Sequence, residues 1–183
     1  MAASQQEGAS SVAGGVRRGV WGSAAASWAA TPLHYIRVLK PRETLLLWFI
    51  GVCTALVAAE GAPPLGRLAA TAGAVLLGSA GTNGLTNYLD RHVDARMRRT
   101  RRRVLEARLI LPPDKALLWA LLLVVVALAL AWALRPAAAL AGVVAVVAAV
   151  LWRKTWATHF LGAVSSAGPV WVGWLAMRPD VTP

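Results

Sequence analysis

Asp90 and Asp94 stand four residues apart in the stretch Thr86-Asn87-Tyr88-Leu89-Asp90-Arg91-His92-Val93-Asp94-Ala95-Arg96-Met97-Arg98-Arg99-Thr100. On a helix that spacing puts both carboxylates on one face, where like charges repel by roughly 0.2–0.5 kcal/mol. A divalent cation reverses the sign. Mg2+ suits such a pair, because it binds through one or two carboxylates plus substrate phosphate oxygens and keeps several waters. Asn87 lies about one turn before Asp90, and the arginines just downstream carry donors for a diphosphate. Together these groups would hold a polyanionic leaving group. Two other readings stay open from spacing alone. The aspartates could pair with Arg91, Arg98 or other neighbours, and the arginine run could bind anionic lipid headgroups at about 1 kcal/mol per residue.

The elements that must position these residues are apolar. The 183-residue chain is 57% hydrophobic and only 15% charged, yet carries a net charge of +11. Its mean hydropathy is +0.56. Basic nucleic-acid-binding domains are usually polar and rich in charge, so this balance argues against nucleic acid and for a lipid bilayer. The fold class expected is all-α: a polytopic transmembrane bundle. Five apolar segments, roughly Thr44–Ala59, Leu68–Leu89, Ala116–Leu134, Ala137–Trp152 and Phe160–Met177, are each near the ~20 residues that cross a bilayer. The second contains Asn83, Thr86 and Asn87, which belong at a helix interface or cavity and not against lipid. Residues 1–30, rich in Ala, Ser and Gly, read as a disordered tail, leaving residues 31–183 as the folded unit. The single cysteine, Cys53, excludes an internal disulfide. The tryptophans mostly flank spans, in aromatic-belt positions.

Charge then orients the spans. With the N-terminus in the cytoplasm, the inner side collects residues 17–42, 91–115 and 153–154, holding 16 of the 19 basic residues. Only Arg67, Arg135 and Arg178 fall outside. That asymmetry fits the positive-inside rule and predicts a multi-pass protein of the bacterial inner (plasma) membrane, N-terminus in and C-terminus out.

Three stretches resemble the UbiA superfamily of intramembrane aromatic prenyltransferases. They are Lys40-Pro41-Arg42, Tyr88 to Met97 with Arg99-Thr100, and Leu151 to Thr155 with Gly162, Pro169, Gly173 and Trp174. The middle one is similar to the family's Asp-Arg-Asp-Ile-Asp-Ala-x-Met-x-Arg-Thr, within its Asn-x-x-x-Asp-x-x-x-Asp signature. The likeness covers residues 34–178 and is nearest to the branch of protoheme IX farnesyltransferases. It implies a ring of nine transmembrane helices around a central cavity, of which five are seen in this sequence. It implies that Asp90 and Asp94 are the catalytic, metal-holding residues and that Mg2+ carries the prenyl diphosphate. Asn87, Arg99, Arg103 and Lys154 would face that diphosphate. The reaction implied is farnesyl transfer from farnesyl diphosphate to a vinyl group of protoheme IX, giving heme O. Other readings are a UbiA-type enzyme acting on 4-hydroxybenzoate or a quinone precursor, and a non-catalytic membrane assembly protein.

The sequence also departs from the family. Thr86 stands at the signature Asn, His92 at its middle Asp, Val104 at a Pro, and Thr158 where the heme branch usually has Asn. A second aspartate signature is expected in the family's other half, and Asp114 and Asp180 are isolated. The expectation is therefore a fragment of a longer reading frame. A partner chain supplying the rest, or an inactive paralogue, are the alternatives.

Overall fold

The structure, a computed structural model, describes residues 32–97, 110, 112–151 and 157–178. These form six helices: α1 (Pro32–Val38), α2 (Pro41–Ala58), α3 (Leu65–Asp94), α4 (Asp114–Leu134), α5 (Pro136–Leu151) and α6 (Thr158–Met177). No strand occurs among the described residues. Helices α2 to α6 coincide with the five apolar segments read from the sequence. The expected tail, residues 1–30, lies outside the described residues, as do Arg99, Arg103 and Lys154.

Local chemistry sets the helix ends. Pro41 starts α2, where its missing N–H costs nothing. At the other end Glu60 (φ 54°) and Gly61 (φ 82°) turn left-handed, and the Gly61 N–H reaches the Leu56 carbonyl at 3.0 Å, closing the last turn as a Schellman motif does. Arg135 adopts an extended backbone between α4 and α5, and Pro136 opens α5 directly after it. Helix α3 is 30 residues long, about 45 Å at 1.5 Å per residue. That exceeds the ~30 Å hydrocarbon thickness, so α3 is long enough to carry its charged C-terminal turns past an apolar layer. The charged residues after Leu89 end the apolar run but not the helix, which continues through Asp94.

The packing is that of a membrane bundle. Interior positions are small: Ala55, Ala116, Ala120, Ala138 and Ala176 are 0% exposed. Large apolar side chains point outward instead, with Phe160 72% and Leu118 70% exposed. Close-packed small residues inside and bulky apolar ones outside is the arrangement suited to lipid. Helices α2, α4 and α6 are each long and apolar enough to cross a membrane; α5 is apolar but shorter, at 16 residues.

Two seams bring backbones together. Between α3 and α4, a Cβ on Gly81 would lie 2.8 Å from the Ala120 carbonyl oxygen. Between α2 and α6, a Cβ on Gly173 would lie 2.4 Å from the Gly51 carbonyl oxygen. Only glycine permits these approaches. Gly81 meets Ala120 while Gly73 approaches Leu130, so α3 and α4 run antiparallel. Gly51 meets Gly173, and Ala58 clusters with Met177, so α2 and α6 run parallel. Beyond their C-terminal ends, Arg178 pairs with Glu60. With α2 against α6, the five long helices close into a ring.

The short helix α1 was not apparent in the sequence. It exists because Val38 and Tyr35 pack with Ile110, Ala116 and Tyr88, while the Tyr35 ring meets Trp119 edge-on at 6.5 Å. These contacts lay α1 against α3 and α4 at the end of the bundle that carries the aspartates.

Candidate functional site: a cavity and its acidic mouth

The ring encloses a cavity of about 460 Å³ walled by all five long helices. Leu47, Val75, Val124, Leu128, Val146 and Val172 make it mainly apolar. Polar side chains concentrate on one face of α3: Ser79, Thr82, Asn83 and Thr86. Ser165 and Ser166 of α6, Glu43 of α2 and Lys40 just before it add to the lining.

At about 100° per residue, Asp90 lies about 40° and Asp94 about 80° around α3 from Thr86, within the same polar stripe. The cavity lining on α3 reaches Thr86, so the carboxylates stand one and two turns beyond its mouth. Asp94 is buried and Asp90 half-buried. The helix thus places the pair on one face at the C-terminal end of α3.

This donor set fits Mg2+. Two hard carboxylates on adjacent turns leave room for water and phosphate oxygens in the remaining positions. Among the described residues no group of three or more His, Cys, Asp or Glu could cage a metal.

The neighbouring residues divide into tethers and cavity lining. Asn87 is buried, and its Nδ2 donates to the Val38 carbonyl at 2.9 Å. Its Oδ1 is buried without a partner. Asn87 therefore ties α1 to α3, and its spare polar atom is an acceptor. Thr86, at the signature Asn position, donates to the Asn83 carbonyl at 3.0 Å. Asn83 in turn donates to Thr44 Oγ1 at 3.0 Å, and Thr44 Oγ1 donates to the Leu39 carbonyl at 2.7 Å. The Tyr88 hydroxyl donates to Asp114 Oδ1 at 2.6 Å, linking α3 to the start of α4. Arg91 lies over the Tyr88 ring at 3.9 Å and donates to the Tyr88 carbonyl at 2.8 Å. Replacing Asn87 with Ala is expected to loosen α1 by about 1 kcal/mol, the net worth of one hydrogen bond. Trypsin should then cut at Arg37 about five times faster, while the rest of the bundle keeps its cleavage pattern.

Sequence reasoning did not single out Lys40, Glu43, Thr44, Ser165 or Ser166 as site residues. Lys40 was visible only as part of a motif. The polarity of Ser165 and Ser166 within an apolar span was a usable signal.

A polytopic helical bundle with a central cavity and this signature defines a class. Residues 46–183 match the UbiA prenyltransferase family, and the chain belongs to it. A protoheme IX farnesyltransferase of Desulforudis audaxviator (strain MP104C) is 37% identical over 159 residues, which are 83% of this chain and 50% of that protein. One from Thermus thermophilus is 35% identical over 170 residues, 88% of this chain and 27% of that protein. One from Symbiobacterium thermophilum is 36% identical over 149 residues, 78% and 50% of the two chains. The chain thus spans half or less of the length of these curated relatives. No solved structure matches it. With family and fold together, the chain is a multi-pass membrane protein of the UbiA family.

Proposed function

We propose that residues 31–183 form the prenyl-diphosphate-binding part of an intramembrane farnesyltransferase whose acceptor is protoheme IX and whose product is heme O. The observation that carries the reading is the continuous polar stripe on α3. It runs from inside an apolar cavity to Thr86, and the paired carboxylates follow one and two helical turns beyond. Such a gradient suits a ligand with an apolar tail and an anionic head. The names of the relatives supply the acceptor and the prenyl group.

Asp90 and Asp94 would hold Mg2+, whose charge would stabilise the departing diphosphate. Arg99, Arg103 and Lys154 are assigned to the same anion by their places in the family motif. In the transfer, the bond between the allylic carbon and the diphosphate oxygen breaks and the electron pair leaves with the diphosphate. The vinyl group of the acceptor forms the new carbon–carbon bond with the allylic cation, which moves the positive charge onto the porphyrin side chain; a water molecule adds there and loses a proton, giving the hydroxyl of heme O. The apolar walls keep water from the allylic cation before that bond forms.

The test supplies farnesyl diphosphate with protoheme or with 4-hydroxybenzoate to membranes carrying the chain and the remainder of the fold. Alkylated protoheme, seen by mass spectrometry, is the expected product. Alkylated 4-hydroxybenzoate would move the protein to another UbiA branch. No product from either would favour a non-catalytic assembly role. The proposed orientation is checked separately: a reporter fused after Thr100 should read out as cytoplasmic, and an external signal would reverse the topology.

A further inference from the structure

We propose that the hydroxyls of Ser79 and Ser165, with the Ser165 carbonyl, hold the water molecule that adds to the alkylated acceptor and becomes its hydroxyl. This rests on the protoheme reading above and assigns residues to its last step.

The carbonyl is set free by covalent structure. Helix α6 runs from Thr158 to Met177 with Pro169 inside it. Proline has no N–H, so the carbonyl four residues back loses its helical donor. That carbonyl belongs to Ser165. Ser165, Gly168, Pro169 and Val172 all line the cavity, at the three- and four-residue steps that mark one helix face. The gap left by the proline therefore opens on the cavity. Within a membrane such a freed carbonyl is re-satisfied by a hydroxyl or an ordered water.

Ser79 of α3 stands at the same level. Gly51 of α2 marks that level: a Cβ there would lie 2.8 Å from Val75 Cγ1 and 3.1 Å from the Pro169 carbonyl oxygen. Helices α2 and α3 run antiparallel, since Asn83 bonds Thr44 while Val75 meets Gly51. Helix α6 runs parallel to α2, so it is antiparallel to α3. Ser79 is four residues past Val75, and Ser165 is four residues before Pro169. Both serines therefore lie one turn from Gly51, on the side nearer the carboxylates. Ser79 is buried and lines the cavity too. Thr54 and Thr71 donate to the carbonyl four residues back. Among the described residues Ser79 and Ser165 make no such bond, which leaves their hydroxyls for a ligand.

Two hydroxyls and a carbonyl meet the two to four polar partners that a buried water needs. A water donating to the carbonyl and to one serine oxygen keeps a lone pair for attack. Along α3, Ser79 is 11 residues from Asp90, about 16 Å. The held water thus lies apart from the carbon–oxygen bond that breaks beside the carboxylates, and its hydrogen bonds restrain it while the allylic cation exists. Once the carbon–carbon bond has formed, the positive charge sits on the carbon next to the porphyrin ring. The water oxygen bonds to that carbon, and the proton it sheds passes to the released diphosphate. Without a held water, the same cation sheds a proton from the neighbouring carbon instead. The product is then an alkene, lighter than the alcohol by one water.

The experiment supplies farnesyl diphosphate and protoheme to membranes carrying the chain and the remainder of the fold, and measures the ratio of alkene to alcohol by mass spectrometry. Ser165→Ala and Ser79→Ala should each raise that ratio about tenfold, the upper end for one hydrogen bond. Ser165→Thr keeps a hydroxyl and should stay within about threefold. Pro169→Ala returns a helical donor to the Ser165 carbonyl and should raise the ratio about threefold; Ala also favours helix over Pro, so this variant folds. A merely structural pair of serines lowers the total yield and leaves the ratio unchanged. An unchanged ratio in both serine variants overturns the assignment, whatever the yield. Where those variants do not accumulate, Pro169→Ala decides, and an unchanged ratio there overturns it equally. Alkylated protoheme with unmoved ratios removes only the water site. No alkylated protoheme from the unaltered protein removes the acceptor reading and this inference with it.

Discussion

Asp90→Asn and Asp94→Asn are each expected to abolish Mg2+-dependent transfer by the completed protein, a loss on the order of 10²–10³-fold or more, as for removal of a group that stabilises transition-state charge. The two residues stand on successive turns of α3, one and two turns beyond the cavity that α3 lines with polar side chains. Asn keeps the size and one oxygen of Asp but removes the charge that attracts the metal. Stability should change far less than activity, because Asn has nearly the shape of Asp and keeps one acceptor oxygen. Lost activity with retained melting is the expected signature. Full activity in both variants would remove the metal role, and a parallel fall in melting temperature would make the pair structural.

The second large effect is mechanical. Gly81→Val and Gly173→Val should destabilise the bundle by about 3 kcal/mol, the upper part of the usual range for overpacking. At Gly81 the added carbon meets the Ala120 carbonyl oxygen at 2.8 Å, and at Gly173 it meets the Gly51 carbonyl oxygen at 2.4 Å. Both obstacles are backbone, which cannot swing aside as a side chain can. Relief requires a whole helix to move. Gly66→Ala is the control, since an added carbon there meets nothing within 4 Å. It should be neutral, or stabilising by about 0.5–1 kcal/mol, because Ala favours helix over Gly. Melting of detergent-solubilised protein, followed by size-exclusion profile, checks all three. Unchanged melting of Gly173→Val would mean that α2 and α6 do not meet so closely.

The helices were legible because lipid solvation leaves a coarse record. Long uncharged runs broken by Pro63-Pro64, Arg135-Pro136 and the arginine-rich stretch delimit them to within a few residues. Hydropathy failed where the cause of structure was different. It could not see that α3 continues past Leu89 to Asp94, because a helix extending past the membrane needs no apolar residues. It could not see α1, whose seven residues are held by contacts of Val38 and Tyr35 with distant parts of the chain.

The site was partly legible in the same sense. The spacing of Asp90 and Asp94 implied a shared face, and the helix supplies it. The pairing of Asn83 with Thr44 and of Asn87 with Val38 joins residues far apart in sequence, which spacing cannot reveal. The left-handed backbone of Lys40 is equally invisible from its sequence context, since a lysine before proline ordinarily points to an extended turn.

The alanine and glycine interior bears on how the gene tolerates mutation. A single transition in an alanine codon yields valine, an exchange that is harmless on most protein surfaces. Here it would add two methyl groups at Ala55, Ala120 or Ala138, positions with no exposed area. The outward Leu, Val and Phe positions face lipid and accept one another freely. The commonest base changes therefore strike hardest at the residues that look most innocuous, and a mutational scan should find intolerance tracking smallness of side chain more than its polarity.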